Sequence, residues 1–102
     1  MGYYTDYEIE SDINPKELAY GLKDISGHSY YVNGNSICSD DIKWYNWEKD
    51  MITLSHKYPN ATFIVMGIGE ENGDYWKARI KNGKVDKVRG EIVYPPFPGE
   101  TE

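Results

Sequence analysis

The chain has 102 residues, enough for one small domain with one core and too few for two. Its net charge of −6 and pI of about 4.8 argue against general affinity for nucleic acid or an anionic membrane. The longest apolar run, Phe63–Met66, is far too short to cross a bilayer, and Met1–Glu10 has neither the basic start nor the apolar stretch of a secretion signal.

Tyr3, Thr5, Tyr7 and Ile9 alternate with Tyr4, Asp6, Glu8 and Glu10. This period of two predicts a strand with one buried face and one acidic face in water. "INPKEL" then predicts a helix starting at Pro15. Asn14 suits the N-cap, Pro15 the first helical position, Glu17 the capping-box acid, and Ile13 and Leu18 the staple. Leu18, Leu22 and Ile25 give this helix a core face, Gly27 ends it, and Gly21 weakens it.

"SYYVNGNSIC" reads as a short hairpin, with Asn33-Gly34 supplying the positive φ angles of a type I′ turn. "SDDIKWYN" follows, part loop and part strand. A second helix is predicted from Trp47 to Lys57 with Asn46 as N-cap. Trp47, Met51, Leu54 and Tyr58 form its apolar stripe, and Tyr58-Pro59 closes it.

"ATFIVMGIG" is apolar on both phases and reads as a central strand buried on both faces. Asp74–Lys81 is the next strand, turning Trp76, Ala78 and Ile80 one way and Tyr75, Lys77, Arg79 and Lys81 the other. Asn82-Gly83 makes another tight turn. Val85–Tyr94 reads as a last strand, bulged where its apolar phase changes between Val85 and Val88. Residues 1–94 thus form a single α+β domain, and residues 95–102 a Pro-rich acidic tail that cannot pair in a sheet. The order of elements predicts two helices on one face of a mostly antiparallel sheet of four to five strands, a ferredoxin-like variant.

The glycines of "GIGEENGD" invite comparison with a phosphate-binding loop. Such a loop must open a helix, whereas the residues after Gly73 alternate as a strand, so a hairpin tip is the better reading. Glu70, Glu71, Asn72 and Asp74 lack the ligand rhythm of a calcium loop. Cys38 is the only cysteine, which excludes an internal disulfide and fits a reducing cytoplasm. With His28 ten residues away, Cys38 is the one candidate nucleophile for a small enzyme, although nothing around it resembles a nucleophile motif. The residues therefore name no catalytic set, no cofactor site and no metal site.

Two charged stretches and one aromatic stretch are the candidates for binding. Lys77, Arg79, Lys81, Lys84, Lys87 and Arg89 face only one acid, Asp86, and could serve a nucleic acid. Asp6, Glu8 and Glu10 form an acidic stripe. If the first strand lies beside Asp74–Lys81, the two stripes neutralise each other across the sheet, and this pairing is expected over a free acidic face. Trp44, Tyr45 and Trp47 are too many rings for so small a core, so one or two should reach the surface as interface anchors.

The stretch "KWYNWEKDMITLSHKYPNATFIVMGIGEENGDYWKARIKNGKV" resembles the second half of a set of small phage and mobile-element proteins. The matching residues are the Trp44-Tyr45 pair, Leu54, Ser55, Tyr58, Pro59, Gly69, Glu70, Glu71, Gly73, Asp74, Trp76, Asn82, Gly83 and Lys84, and the opening "MGYYTDYEIE" is also typical of them. The resemblance covers about half the chain and implies a phage-type origin and a ferredoxin-like topology. It supplies no catalytic residue. It implies a non-enzymatic cytoplasmic module that binds a host or defence protein, for example as an inhibitor of a CRISPR nuclease complex, sometimes by imitating DNA charge. The expected partner-facing residues are Trp44, Tyr45, Trp47, Asp6, Glu8, Glu10, Glu70 and Glu71. A nucleic-acid binder using Lys77–Arg89 and an enzyme using Cys38 and His28 are the alternatives, and a homodimer is compatible with the sequence.

Overall fold

The structure is a computed structural model and describes residues 3–71 and 73–89. In chain order the elements are β1 (Thr5–Ser11), α1 (Pro15–Ser26), β2 (Tyr31–Asn33), β3 (Ser36–Ile42), α2 (Trp47–Lys57), β4 (Phe63–Gly69), β5 (Tyr75–Lys81) and β6 (Lys84–Arg89). The described strands form one antiparallel sheet in the order β2-β3-β1-β4-β5-β6. The α+β class and the two helices agree with the sequence. The strand number does not, because the "SYYVNGNSIC" hairpin supplies two strands and β3 continues through the acidic pair to Ile42.

Alternation sorts each strand into two faces. Tyr7 and Ile9 of β1, Ile37 of β3, Phe63 and Val65 of β4, and Ala78 and Ile80 of β5 are buried on one face. Leu18 and Leu22 of α1 and Met51 and Leu54 of α2 complete a single core with them, so both helices lie against that face. Helix α1 begins as the cap signals predict. Asn14 Oδ1 accepts from the Lys16 and Glu17 amides, and Gly27 closes the helix at φ 80°, donating its amide to Lys23. Glu17 departs from the capping-box expectation: its carboxylate accepts the Tyr58 hydroxyl at 2.8 Å and ties α1 to the end of α2. In α2, Asn46 makes no side-chain cap bond, contrary to expectation.

Gly21 faces α2, and a Cβ there lies 3.5 Å from Leu54 Cδ1, an ordinary contact. Gly21→Ala is therefore expected to stabilise the protein by about 0.5–1 kcal/mol through helix propensity. A rise in urea midpoint at unchanged slope checks it.

The turns are partly as expected. Asn82 (φ 46°) and Gly83 (φ 82°) form the type I′ connection between β5 and β6. The Gly83 amide donates to the hydroxyl of fully buried Ser55, pinning this turn to α2. The β2–β3 turn is shifted by one residue. Asn33 pairs with Ser36, so Gly34 and Asn35 are the central residues, and only Gly34 has positive φ. That sign pattern belongs to a II′ turn.

Three further expectations are corrected. Strand β4 is buried on one face only: Phe63 and Val65 lie in the core and Gly67 under the Trp76 indole, while Ile64, Met66 and Ile68 are half-buried to exposed on the other face. β6 pairs with β5 from Lys84 to Arg89 without a bulge, so Val85 and Val88 simply fall on opposite faces. The acidic stripe does not adjoin the basic one, because β4 stands between β1 and β5. Residues 90–94 of the expected last strand and the tail 95–102 lie outside the described residues.

Candidate partner-binding surface

The partner-facing residues named by the sequence fall on two surfaces. One is the end of the sheet where β1 begins and β4 turns into β5. The segment around Tyr3 knits it together: the Tyr3 amide donates to the Tyr45 hydroxyl at 2.8 Å, and the Tyr3 hydroxyl donates to Asp74 and accepts from the Glu71 amide. The Tyr4 amide donates to the Glu70 carboxylate. The bond to the Asp74 carboxylate raises the Tyr3 pKa, so this phenol stays protonated as a donor. Arg89 bridges Asp74 from the other side at 3.1 Å.

Beside this seam a cleft of about 210 Å³ is lined by Tyr3, Tyr7, Tyr45, Trp47, Asp74 and Trp76 among others. Trp47 stacks on Trp76 with ring centroids 4.4 Å apart, and Lys87 lies over the Trp47 ring while reaching Glu48. Trp76 crosses the sheet to lie over Gly67, its register partner, where a Cβ would collide with the indole. Tyr7 meets both Trp44 and Trp76 edge-on, and burial pushes its pKa up to about 12.

The "WYNW" rings separate as the core demands. Tyr45 is 65% exposed and Trp47 is half-buried. Trp44, expected among the partner-facing rings, is core instead. It is 3% exposed, its ring packs against Tyr7, Tyr30 and His28, and its indole N–H donates to Asp50 at 2.7 Å. Glu70 and Glu71 are exposed at the turn. Tyr3 and Trp76 also line this surface, and no sequence pattern singles them out as binding residues.

The second surface is the sheet face away from the helices. It carries Asp6, Glu8 and Glu10, and the Asp41 amide donates to Asp6 Oδ1 at 2.7 Å, so the acidic pair of β3 folds toward this stripe. None of the three ion pairs among the described residues involves β1. The expected neutralisation by Lys77, Arg79 and Lys81 therefore does not occur within the chain. Arg79 pairs instead with Asp86.

The alternative sites do not assemble. Lys77, Arg79, Lys81 and Lys84 face outward, whereas Lys87 and Arg89 turn to the helix side and are held by Glu48 and Asp74. The six bases thus present no single strip. Cys38 sits opposite Glu8 on the outer face, while His28 packs against Trp44 on the helix side, so the two do not form a nucleophile–base pair. Burial raises the Cys38 pKa, which disfavours its thiolate. Among the described residues, no three His, Cys, Asp or Glu side chains converge as a metal site, and no helix is long and apolar enough to cross a membrane. No protein-family model, curated protein or solved structure matches the chain.

Proposed function

We propose that this chain is a phage-type, non-enzymatic binding module that acts in the host cytoplasm by docking on a defence protein, such as the nuclease complex of a CRISPR system. The observation that carries this reading is the cleft between Tyr45, Trp47 and Trp76 with its rim of Glu70, Glu71 and Asp74. Accessible rings beside carboxylates match the composition of interface anchors. The complementary partner surface is basic, as nucleic-acid grooves of nucleases are. The order β2-β3-β1-β4, with α1 leading from β1 to β2 and α2 from β3 to β4, supports a ferredoxin-like unit that β5 and β6 extend.

The test is capture from host lysates on the immobilised full chain, beside a Tyr45→Ala, Glu70→Gln, Glu71→Gln variant. A stoichiometric protein is expected that the variant releases and raised salt weakens. Finding no stoichiometric partner across several hosts, or a partner indifferent to the variant, overturns the proposal.

A further inference from the structure

The outer sheet face carries three parallel columns of side chains. β1 contributes Asp6, Glu8 and Glu10; β4 contributes Ile64, Met66 and Ile68; β5 contributes Tyr75, Lys77, Arg79 and Lys81. Register aligns them in rows, Glu8–Met66–Lys77 at the centre, Glu10–Ile64–Arg79 on one side and Asp6–Ile68–Tyr75 on the other. No described element covers this face. Ile68 is 51% exposed, and Val88 on β6 is 62% exposed. Strands lie about 4.8 Å apart, so β4 holds Glu8 and Lys77 of one chain roughly 10 Å apart along the sheet, and no ion pair joins them. The face is thus an apolar stripe with an acidic column on one flank and a basic column on the other, each without an ion-pair partner in the other.

We propose that this face is the interface of a two-fold homodimer, with the two sheets packed face to face about an axis parallel to β4. Rotation by 180° about that axis lays the β4 stripe on its own copy and exchanges the flanks. Each acidic column then meets the partner's basic column in the same row, Glu8 with Lys77 and Glu10 with Arg79. An in-plane axis across the strands would set acid on acid and base on base. Only the first arrangement is self-complementary, as a two-fold interface must be. Aligned sheets pack about 10 Å apart with a rotation of roughly 30°, so the central row is matched best.

The area suits a weak association. The five strands that overlap their copies, β3, β1, β4, β5 and β6, have six or seven residues each and span roughly 500 Å² per copy, or roughly 1,000 Å² in all, below the range of tight specific complexes. The association is therefore concentration-dependent. The aromatic cleft at the end of the sheet opens on the helix side and stays free in this dimer, so self-association and partner capture are separable.

Sedimentation equilibrium of the full chain tests the proposal. Wild type is expected to pass from monomer to dimer with rising concentration. Glu8→Lys and Lys77→Glu alone should each weaken dimerisation at least tenfold while circular dichroism stays unchanged. An equimolar mixture of the two variants should dimerise again at wild-type strength, because every central contact is restored to opposite charge. A wild type that stays monomeric overturns the proposal, and protection of Met66 from oxidation in that monomer would assign the face to residues 90–102 instead. A dimer indifferent to both substitutions, or one that mixing fails to restore, also overturns it.

Discussion

Trp44→Ala is expected to leave the protein largely unfolded at 37 °C, while Tyr45→Ala leaves it folded. Trp44 is 3% exposed and touches three rings from two other segments, so its removal opens a large cavity under the sheet. Loss of a buried Trp costs about 3–5 kcal/mol, a large part of the roughly 5–15 kcal/mol that holds a domain together. Asp50 also loses its indole donor. Tyr45 gives up only an exposed ring and the acceptor for the Tyr3 amide, worth about 1 kcal/mol. Urea denaturation of the two variants side by side checks this. Similar small losses for both would contradict the burial of Trp44.

Gly67→Ala is the second large effect, and its sign is diagnostic. In an ordinary strand this exchange stabilises, because glycine loses more conformational freedom on folding. At Gly67 the added methyl meets the Trp76 indole, which cannot retreat, since Trp47 stacks on one side and Tyr7 abuts its edge. Overpacking of this kind costs about 1–3 kcal/mol. With Trp76→Ala present, the penalty should vanish and the usual sign return. A double-mutant cycle by chemical denaturation measures that coupling. Independent, additive effects would show that the indole does not lie over the glycine.

Much of the fold was legible because it is written in local signals. The start and end of α1 rest on residues within one turn of each other, and the Asn82-Gly83 turn needs only its own two residues. Strand neighbours are different. Charge alone favours β1 beside β5, yet apolar β4 takes the position between them, and that choice depends on long-range packing which no period encodes. The double apolar phase of β4 was visible, but a sequence reports which side chains are greasy and not what lies over them. Trp44 and Tyr45 adjoin in a stretch without periodicity, so nothing local says which ring turns inward. Cys38 and His28 are close along the chain, and only the pleat of β3 reveals that they face opposite ways. The acidic turn is legible as a hairpin tip, while its clamp on Tyr3 depends on β1 beginning beside it.

The position of β1 also fixes an order of events. Thr5 pairs with Ile42 on one side and with Gly69 on the other, so the first of the described strands is the keystone between two halves. The meander β4-β5-β6 joins by tight turns and can zip locally within microseconds. The β2–β3 hairpin can do the same. Neither half can dock until the long loops through α1 and α2 close on β1, and that closure carries the entropic cost of folding. On a ribosome, β1 therefore waits with one edge unpaired until β4 emerges. Its alternating acids keep that open edge charged and apart from other nascent chains in the interval.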